Sequence, residues 1–568
     1  MDDFLKNIYK IYEFINKEVS VYEKNDYIDI FKRSMKINVK DRFSTRYYKY
    51  IKDSKRSGIV YTPKKIADYM VKNLIDSSEV IHNPYIKILD PSCGCGNLIF
   101  SCFQYLKEIF LNNINEINKR LNKKLNSDDI DYHILYYNLF GFDIDKTAII
   151  ILKIDLFRLT GIINNKNFIV KDFLMDDVKG KFDFIIGNPP YIGHKNVDRN
   201  YSKILKKKYK EVYEDKGDVS YCFFSRALKC LNKTGKLGFI ISRYFCEASS
   251  GKKLRKFILN NANIKLIIDF YGIRPFKDIG IDPIIIYLKN EKNCSDENKI
   301  KIIKPNHKGK FTRFFIKKGE LDSEGWVIIN ETERKMLNKI IRKCKFLLSD
   351  ICNSHQGIIT GCDKAFILDR EVIKVKHIEE DIVKPWIKSS YIHKYKVNPT
   401  ERYIIYLNKV EEEKYKSSIN YVSKYKDKLE NRRECRAGRR EWYEIQWARK
   451  PEIFENEKIV FPYKASHNRF ALDRGSYFSA DVYCLTLKKQ GIFNYEMLLY
   501  ILNSSIYEFY IKSFAKKLGE NLYEYYPNKL MKLKIPYIDY AHIKDTEYLY
   551  EFFGFNKREI NILENKCK

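Results

Sequence analysis

Phe182-Asp-Phe-Ile-Ile-Gly-Asn-Pro-Pro-Tyr191 decides how the rest of this chain is read. The apolar run from Phe182 to Ile186 has the length and composition of a buried strand, and it stops at Gly187-Asn188-Pro189-Pro190-Tyr191. Adjacent prolines exclude a helix and remove two backbone donors, so the carbonyls there are free to accept hydrogen bonds from another molecule. The Asn188 side chain adds an acceptor and Tyr191 an aromatic face. Acceptors grouped beside a ring suit the grip of a planar amino group whose conjugated system lies on that ring. A plain proline turn after a strand is the ordinary alternative, and the flanking motifs decide between the two.

Upstream, the strand-like residues 86–90 end at Asp90 and lead into Pro91-Ser92-Cys93-Gly94-Cys95-Gly96, followed by a helical stretch from Asn97. Strand, glycine turn and helix open a nucleotide-binding α/β unit, because glycines let the backbone approach a ligand at a helix N-terminus. No third glycine and no Lys-Ser/Thr pair follow, which disfavours a dinucleotide or phosphate loop. Residues 139–145 form the next strand, and an acid at its end accepts from ribose hydroxyls, Asp143 first and Asp145 as the alternative. The interval from the glycine loop is about twice the usual ~20 residues; a helical Asn/Lys-rich insertion at 107–135 accounts for it. A third strand at 168–173 brings Asp172, able to accept from an adenine amino group, and Phe173, able to stack on it. A helix cap is the alternative for Asp172. Gly58-Ile-Val-Tyr61-Thr62-Pro63 precedes an amphipathic helix carrying Ile66, Met70 and Leu74, as a capped start with proline in the first turn does.

These signals occur once and in order across residues 58–191. Together they resemble the gamma group of DNA adenine-N6 methyltransferases, with a closer likeness to the solitary clostridial, CamA-type members in residues 187–195, 356–366 and 431–443. The resemblance implies an α/β fold of the class I S-adenosylmethionine-dependent methyltransferases, Rossmann-like with a mixed seven-stranded sheet, followed by a C-terminal mixed α+β target-recognition domain. Further strands fall at 236–242, 264–270 and 283–288, with helices at 218–232 and 251–260 between them. By the same resemblance S-adenosylmethionine is held by Tyr61, Thr62, Pro63, Asp90, Pro91, Ser92, Cys93, Gly94, Gly96, Asp143, Ile144, Asp172, Phe173 and Asn188. Asn188, Pro189, Pro190 and Tyr191 are catalytic. Tyr191 and Phe276 sandwich the target base, a plain core position being the alternative for Phe276.

Composition fits a polyanion partner. Lys and Arg number 105 against 73 Asp and Glu, a net charge of +32 in 568 residues, which favours electrostatic steering toward nucleic acid. Lysine-rich, A/T-biased coding also inflates such counts. The 13 cysteines form no CxxC pair, so no zinc site is expected, and free thiols fit a reducing compartment. With no basic apolar leader and no uninterrupted apolar run long enough to span a bilayer, the expectation is a cytoplasmic, nucleoid-associated bacterial protein without a membrane partner.

Three domains are expected: an N-terminal helical extension at 1–50, a catalytic domain at 51–295 and a DNA-reading domain at 296–568. In the last, Arg432, Arg433, Arg436, Arg439 and Arg440 stand beside Trp442 and Tyr443. Arginines that read guanine and phosphate beside stacking rings suit DNA, and a solvated charged face is the alternative. Lys195, Gln356, Thr360, Lys364, Lys464 and Asn528 complete the candidate DNA contacts. Residues 501–505 and 523–528 recur in recognition domains of restriction–modification fusions. The expected activity is methyl transfer to a flipped adenine in double-stranded DNA. By resemblance the site is A-rich and non-palindromic, such as CAAAAA, and the enzyme acts as a monomer without an attached nuclease. A protein-glutamine or RNA amino-methyltransferase shares Asn-Pro-Pro-Tyr and is the alternative, with a non-catalytic DNA-binding protein the third reading.

Overall fold

The apolar runs pair into one sheet because most of their residues are buried on both faces, as parallel strands covered by helices require. In the computed structural model, residues 2–53, 61–276, 280, 282–305, 310–488, 491–518, 521–538 and 547–567 are described. Gly58, Ile59 and Val60 of the Thr-Pro motif lie outside them. The strands are β1 (Ile88–Asp90), β2 (Leu139–Asp143), β3 (Phe168–Val170), β4 (Phe182–Gly187), β5 (Leu231–Ser242), β6 (Asn263–Asp269), β7 (Pro283–Lys289), β8 (Lys299–Pro305) and β9 (Phe311–Lys317). Their order is β3-β2-β1-β4-β5-β7-β6-β8-β9. β1, β2, β3, β4 and β5 run parallel, and β7 is antiparallel to both β5 and β6.

The first seven strands are those expected from sequence, and the sheet extends to nine. β8 pairs parallel with β6, and β9 antiparallel with β8. The compact N-terminal unit therefore runs to Ile328, not to residue 295, and the second unit begins at Ile329. The reason is packing: Ile300, Ile302, Ile303, Ile316 and Trp326 belong to the same core as β4 and β5. Arg255 closes this edge. Its side chain is fully buried and donates to the carbonyls of Ser323, Glu324, Phe245 and Ala248.

Helices α1 (Asp2–Ile15), α2 (Val21–Ser34) and α3 (Phe43–Asp53) form an N-terminal layer; α4 (Lys64–Leu74) and α5 (Asn97–Asn112) flank β1. Apolar residues Ile8, Ile11, Ile28 and Phe43 of the layer pack on Ile151, Ile154 and Phe157 of α6 (Lys146–Thr160). The expected insertion is helical, with segments at Ile114–Leu121 and Ser127–His133.

In the second unit, Cys352–Gln356, Val482–Leu487, Lys458–Pro462 and Ala471–Asp473 form an antiparallel sheet in that order. A second four-stranded sheet shares its core through Trp386, Ile404 and Phe478. No helix of the described residues is long and apolar enough to cross a membrane.

Ending the chain at residue 295 removes β8 and β9 and opens the edge of β6. A fragment of residues 1–328 is expected to melt cooperatively, whereas one of residues 1–295 aggregates or melts without a transition; calorimetry of the two separates them.

Candidate active site

Because β1 and β4 are parallel neighbours, with Ile88 opposite Phe184 and Leu89 opposite Ile185, the glycine loop and the Asn-Pro-Pro-Tyr loop leave the sheet at one edge. Between them lies a cavity of about 670 Å³, whose lining takes residues from the ends of β1, β2, β3 and β4.

The glycine loop is held by its neighbours. Gly96 has φ +86°, and a Cβ there would meet Leu152 Cδ1 at 2.1 Å, so only glycine fits. Gly94 N–H donates to Asp143 Oδ2 at 2.8 Å, and Asp145 N–H to Asp143 Oδ1 at 2.9 Å. Asp145, the alternative to Asp143, is used otherwise: its Oδ1 accepts from Thr147 and Ala148 at the start of α6. Asp172 takes the capping role. It caps a turn through Leu174 N–H at 2.8 Å, accepts from the Tyr201 hydroxyl at 3.0 Å, and still lines the cavity beside the buried Phe173.

The Asn188 amide is oriented from both ends. Its Nδ2 donates to Thr62 Oγ1 at 3.1 Å, and its Oδ1 accepts from the Tyr191 hydroxyl at 2.7 Å. The loop itself is tied down where the chain returns: Gly193 bridges Asp218 and Val219 N–H donates to Ile192 O at 3.1 Å, just before α7 (Ser220–Cys230).

Of the expected cofactor residues, Thr62, Asp90, Pro91, Ser92, Cys93, Gly94, Asp143, Ile144, Asp172, Phe173 and Asn188 line the cavity. Tyr61, Pro63 and Gly96 are outside the lining: Pro63 starts α4, and Tyr61 packs edge-on against Tyr48 at 4.8 Å. Sequence reasoning missed Tyr47, Tyr48, Tyr201 and Phe223, which also line it. No motif marks them; α3 shows only helical spacing. Phe276, 3% exposed, packs in the core of the N-terminal unit, as does Tyr191 at 8%. Among the described residues no cluster of acids, histidines and cysteines could hold a metal.

The lining is rich in groups that accept and donate hydrogen bonds, with Asp90, Asp143, Asp145 and Asp172 facing Lys146, Lys171 and Ser92 around one cavity. Burial, helped by the Asp143 charge, pushes the Asp90 carboxyl up to about 8, and burial also raises Asp143. Ser92 Oγ is buried with no hydrogen-bond partner among the described residues, a free polar atom for a ligand.

Comparison with known proteins agrees. Residues 137–276 match the Eco57I restriction-modification methylase family, and 384–535 match the TaqI-like C-terminal specificity domain. The chain is similar in sequence to type II restriction–modification methyltransferases. It is 24% identical to type II methyltransferase M.BstVI of Geobacillus stearothermophilus, covering 89% of this chain and 98% of that one. With M.BanIII of Aneurinibacillus aneurinilyticus the identity is 25%, over 79% and 84%. The structure of the type IIL restriction-modification enzyme MmeI, solved in complex with DNA, superposes with a TM-score of 0.60 at 15% identity, over 82% of this chain and 67% of that one. The fold is that of the S-adenosylmethionine-dependent methyltransferases, and its cofactor is S-adenosylmethionine. Asp90, Asp143 and Asp172 are the three carboxylates of the cavity wall that the sequence singled out.

The second unit corrects part of the arginine reading. Arg432 is 8% exposed, and its guanidinium donates to the carbonyls of Leu429, Thr360, Trp442 and Glu444 at 2.8–3.1 Å. It staples residues 431–445 to the 360 turn and is not a surface contact. Thr360 and Tyr443 are likewise buried, and the Thr360 hydroxyl is given to Asp363 at 2.6 Å. Arg440 is half-buried against Asn408, and Gln356 is tied to Ala480 O and Arg449. Trp442 is half-buried edge-on to Tyr443, whereas Arg433, Arg436, Arg439, Lys195, Lys364, Lys464 and Asn528 are exposed.

Two predictions follow from these partners. A carboxyl protonated when folded and ionised when unfolded means that the native state binds the extra proton, so stability falls as pH rises from about 4 to about 8. Urea denaturation at pH 5 and pH 8 is expected to show that fall in the wild type and a smaller one in Asp90→Asn. Arg432→Ala leaves four buried carbonyls without their donor and is expected to cost about 3 kcal/mol or more of stability in the C-terminal unit, read by denaturant titration.

Proposed function

We propose that this protein is a site-specific DNA adenine-N6 methyltransferase, of the solitary CamA-type, which acts on an A-rich, non-palindromic site such as CAAAAA. The observation that carries the reading is the Asn188 amide, fixed by Thr62 at the mouth of a cofactor cavity and followed directly by two prolines and a ring. The TaqI-like segment and the net charge of +32 support DNA over a protein or free-RNA substrate.

Bound S-adenosylmethionine supplies an electrophilic methyl group. The exocyclic nitrogen of adenine is a poor nucleophile because its lone pair is delocalised into the ring. Asn188 Oδ1 and the Pro189 carbonyl accept its two hydrogens and localise the lone pair toward the methyl group, a positional and electrostatic mechanism. A carbonyl oxygen has two lone pairs, so Asn188 Oδ1 can serve the base and the Tyr191 hydroxyl together. The target base must leave the helix, at a cost of a few kcal/mol, and stacking on Tyr191 returns about 1–3 kcal/mol. Tyr191 is 8% exposed, so base entry requires its ring to turn outward. Arg433, Arg436 and Arg439 supply phosphate contacts, and the enzyme works as a monomer on DNA.

Single-turnover methylation of a short A-rich duplex tests this. Asn188→Ala is expected to slow methyl transfer about a hundredfold or more, while affinities for DNA and S-adenosylmethionine change far less. Asn188→Asp keeps an acceptor and retains measurable activity. Equal rates for Asn188→Ala and the wild type would remove this stretch from the active site.

A further inference from the structure

The N-terminal helices reach past their own apolar seam into the cofactor cavity. Tyr47 and Tyr48 of α3 both line it, and both hydroxyls are committed to the polar framework around it. The Tyr48 hydroxyl accepts from Cys95 N–H, in the middle of the glycine loop, at 3.2 Å. A Cβ on Gly94 would lie 3.3 Å from the same oxygen, so loop and hydroxyl are in close contact. The Tyr47 hydroxyl donates to Asp145 Oδ2 at 2.6 Å.

We propose that α1, α2 and α3 are part of the cofactor-binding machinery, with Tyr47 and Tyr48 as positioning residues for the glycine loop and for the two acids after β2. Tyr47 decides which acid does what. With Asp145 Oδ1 on the first turn of α6 and Oδ2 on Tyr47, Asp145 is withdrawn from the ligand, and Asp143 is left to receive it. Tyr48 fixes the peptide between Gly94 and Cys95, whose orientation sets the donors of the loop. An apolar cover would need neither hydroxyl, since a buried phenol costs free energy unless it is hydrogen-bonded.

The layer is anchored to transmit this. Phe43 N–H and Ser44 N–H, at the start of α3, donate to the buried Asp155 of α6 at 3.0 and 3.2 Å. Asp29 of α2 pairs with Arg158 of α6 at 2.9 Å. Cofactor binding and docking of the N-terminal layer are therefore linked, and each stabilises the other. None of this depends on which base is methylated.

Calorimetric titration of the full chain with S-adenosylmethionine tests the proposal, using Tyr47→Phe, Tyr48→Phe and the double variant, which keep the rings and remove only the hydroxyls. Each single change is expected to weaken binding about three- to tenfold and to raise the KM for the cofactor in step. The kcat at saturating cofactor is expected to stay within about twofold, a split that general loss of structure would not give. Hydrogen exchange of the wild type supplies an arm free of any variant: amides of residues 43–51 are expected to gain protection when the cofactor is added. A double variant that binds as tightly as the wild type overturns the role of the hydroxyls. Unchanged protection of α3 overturns the linkage. Absence of methyl transfer to DNA by the wild type would count against the activity proposed above and leave the binding result standing.

Discussion

The parallel pairing of β1 with β4 is the constraint on which the rest of the N-terminal unit depends. Parallel strands leave a sheet in the same direction, so a glycine loop and an Asn-Pro-Pro-Tyr loop separated by about ninety residues of chain emerge side by side. A change of register by one residue would turn every β4 side chain to the opposite face. The apolar residues that fix the register, Phe184, Ile185 and Ile186, are buried to 2% or less.

Given that edge, the polar groups fall into a chain of support. Thr62 holds the Asn188 amide, Asp143 holds the glycine loop, and α6 is held in turn by α3. Each of these side chains also satisfies a backbone or side-chain donor that burial would otherwise leave stranded. The same logic governs the second unit, where Arg432 and four carbonyls shape the turn from which Arg433, Arg436 and Arg439 project. A run of five arginines thus divides into a staple, a half-buried partner of Asn408, and three exposed cations.

Carboxylates in the cavity are strained electrostatically. The Ser92 N–H donates to Asp90 at 3.1 Å and opposes the effect of its burial, while the nearby Asp143 adds like charge. The cavity wall also carries Lys146 and Lys171, so its acids and cations share one lining.

The sequence by itself determined the seven central strands, the two loops and the acids after β2 and β3. Those signals are local: runs of apolar residues that must be buried, glycines that only one backbone conformation admits, and prolines that end a strand. The extent of the sheet was not legible, because β8 and β9 mix basic with apolar residues and join the sheet only through tertiary pairing, β8 on β6 and β9 on β8. Phe276 and Arg432 were undecidable from composition, since burial depends on what lies opposite in space. Tyr47 and Tyr48 could not be found in a helix whose spacing marks a face without saying what that face meets. Only the tertiary structure carried their hydroxyls to the glycine loop and to Asp145, because the contacts are made between residues 47 or more positions apart.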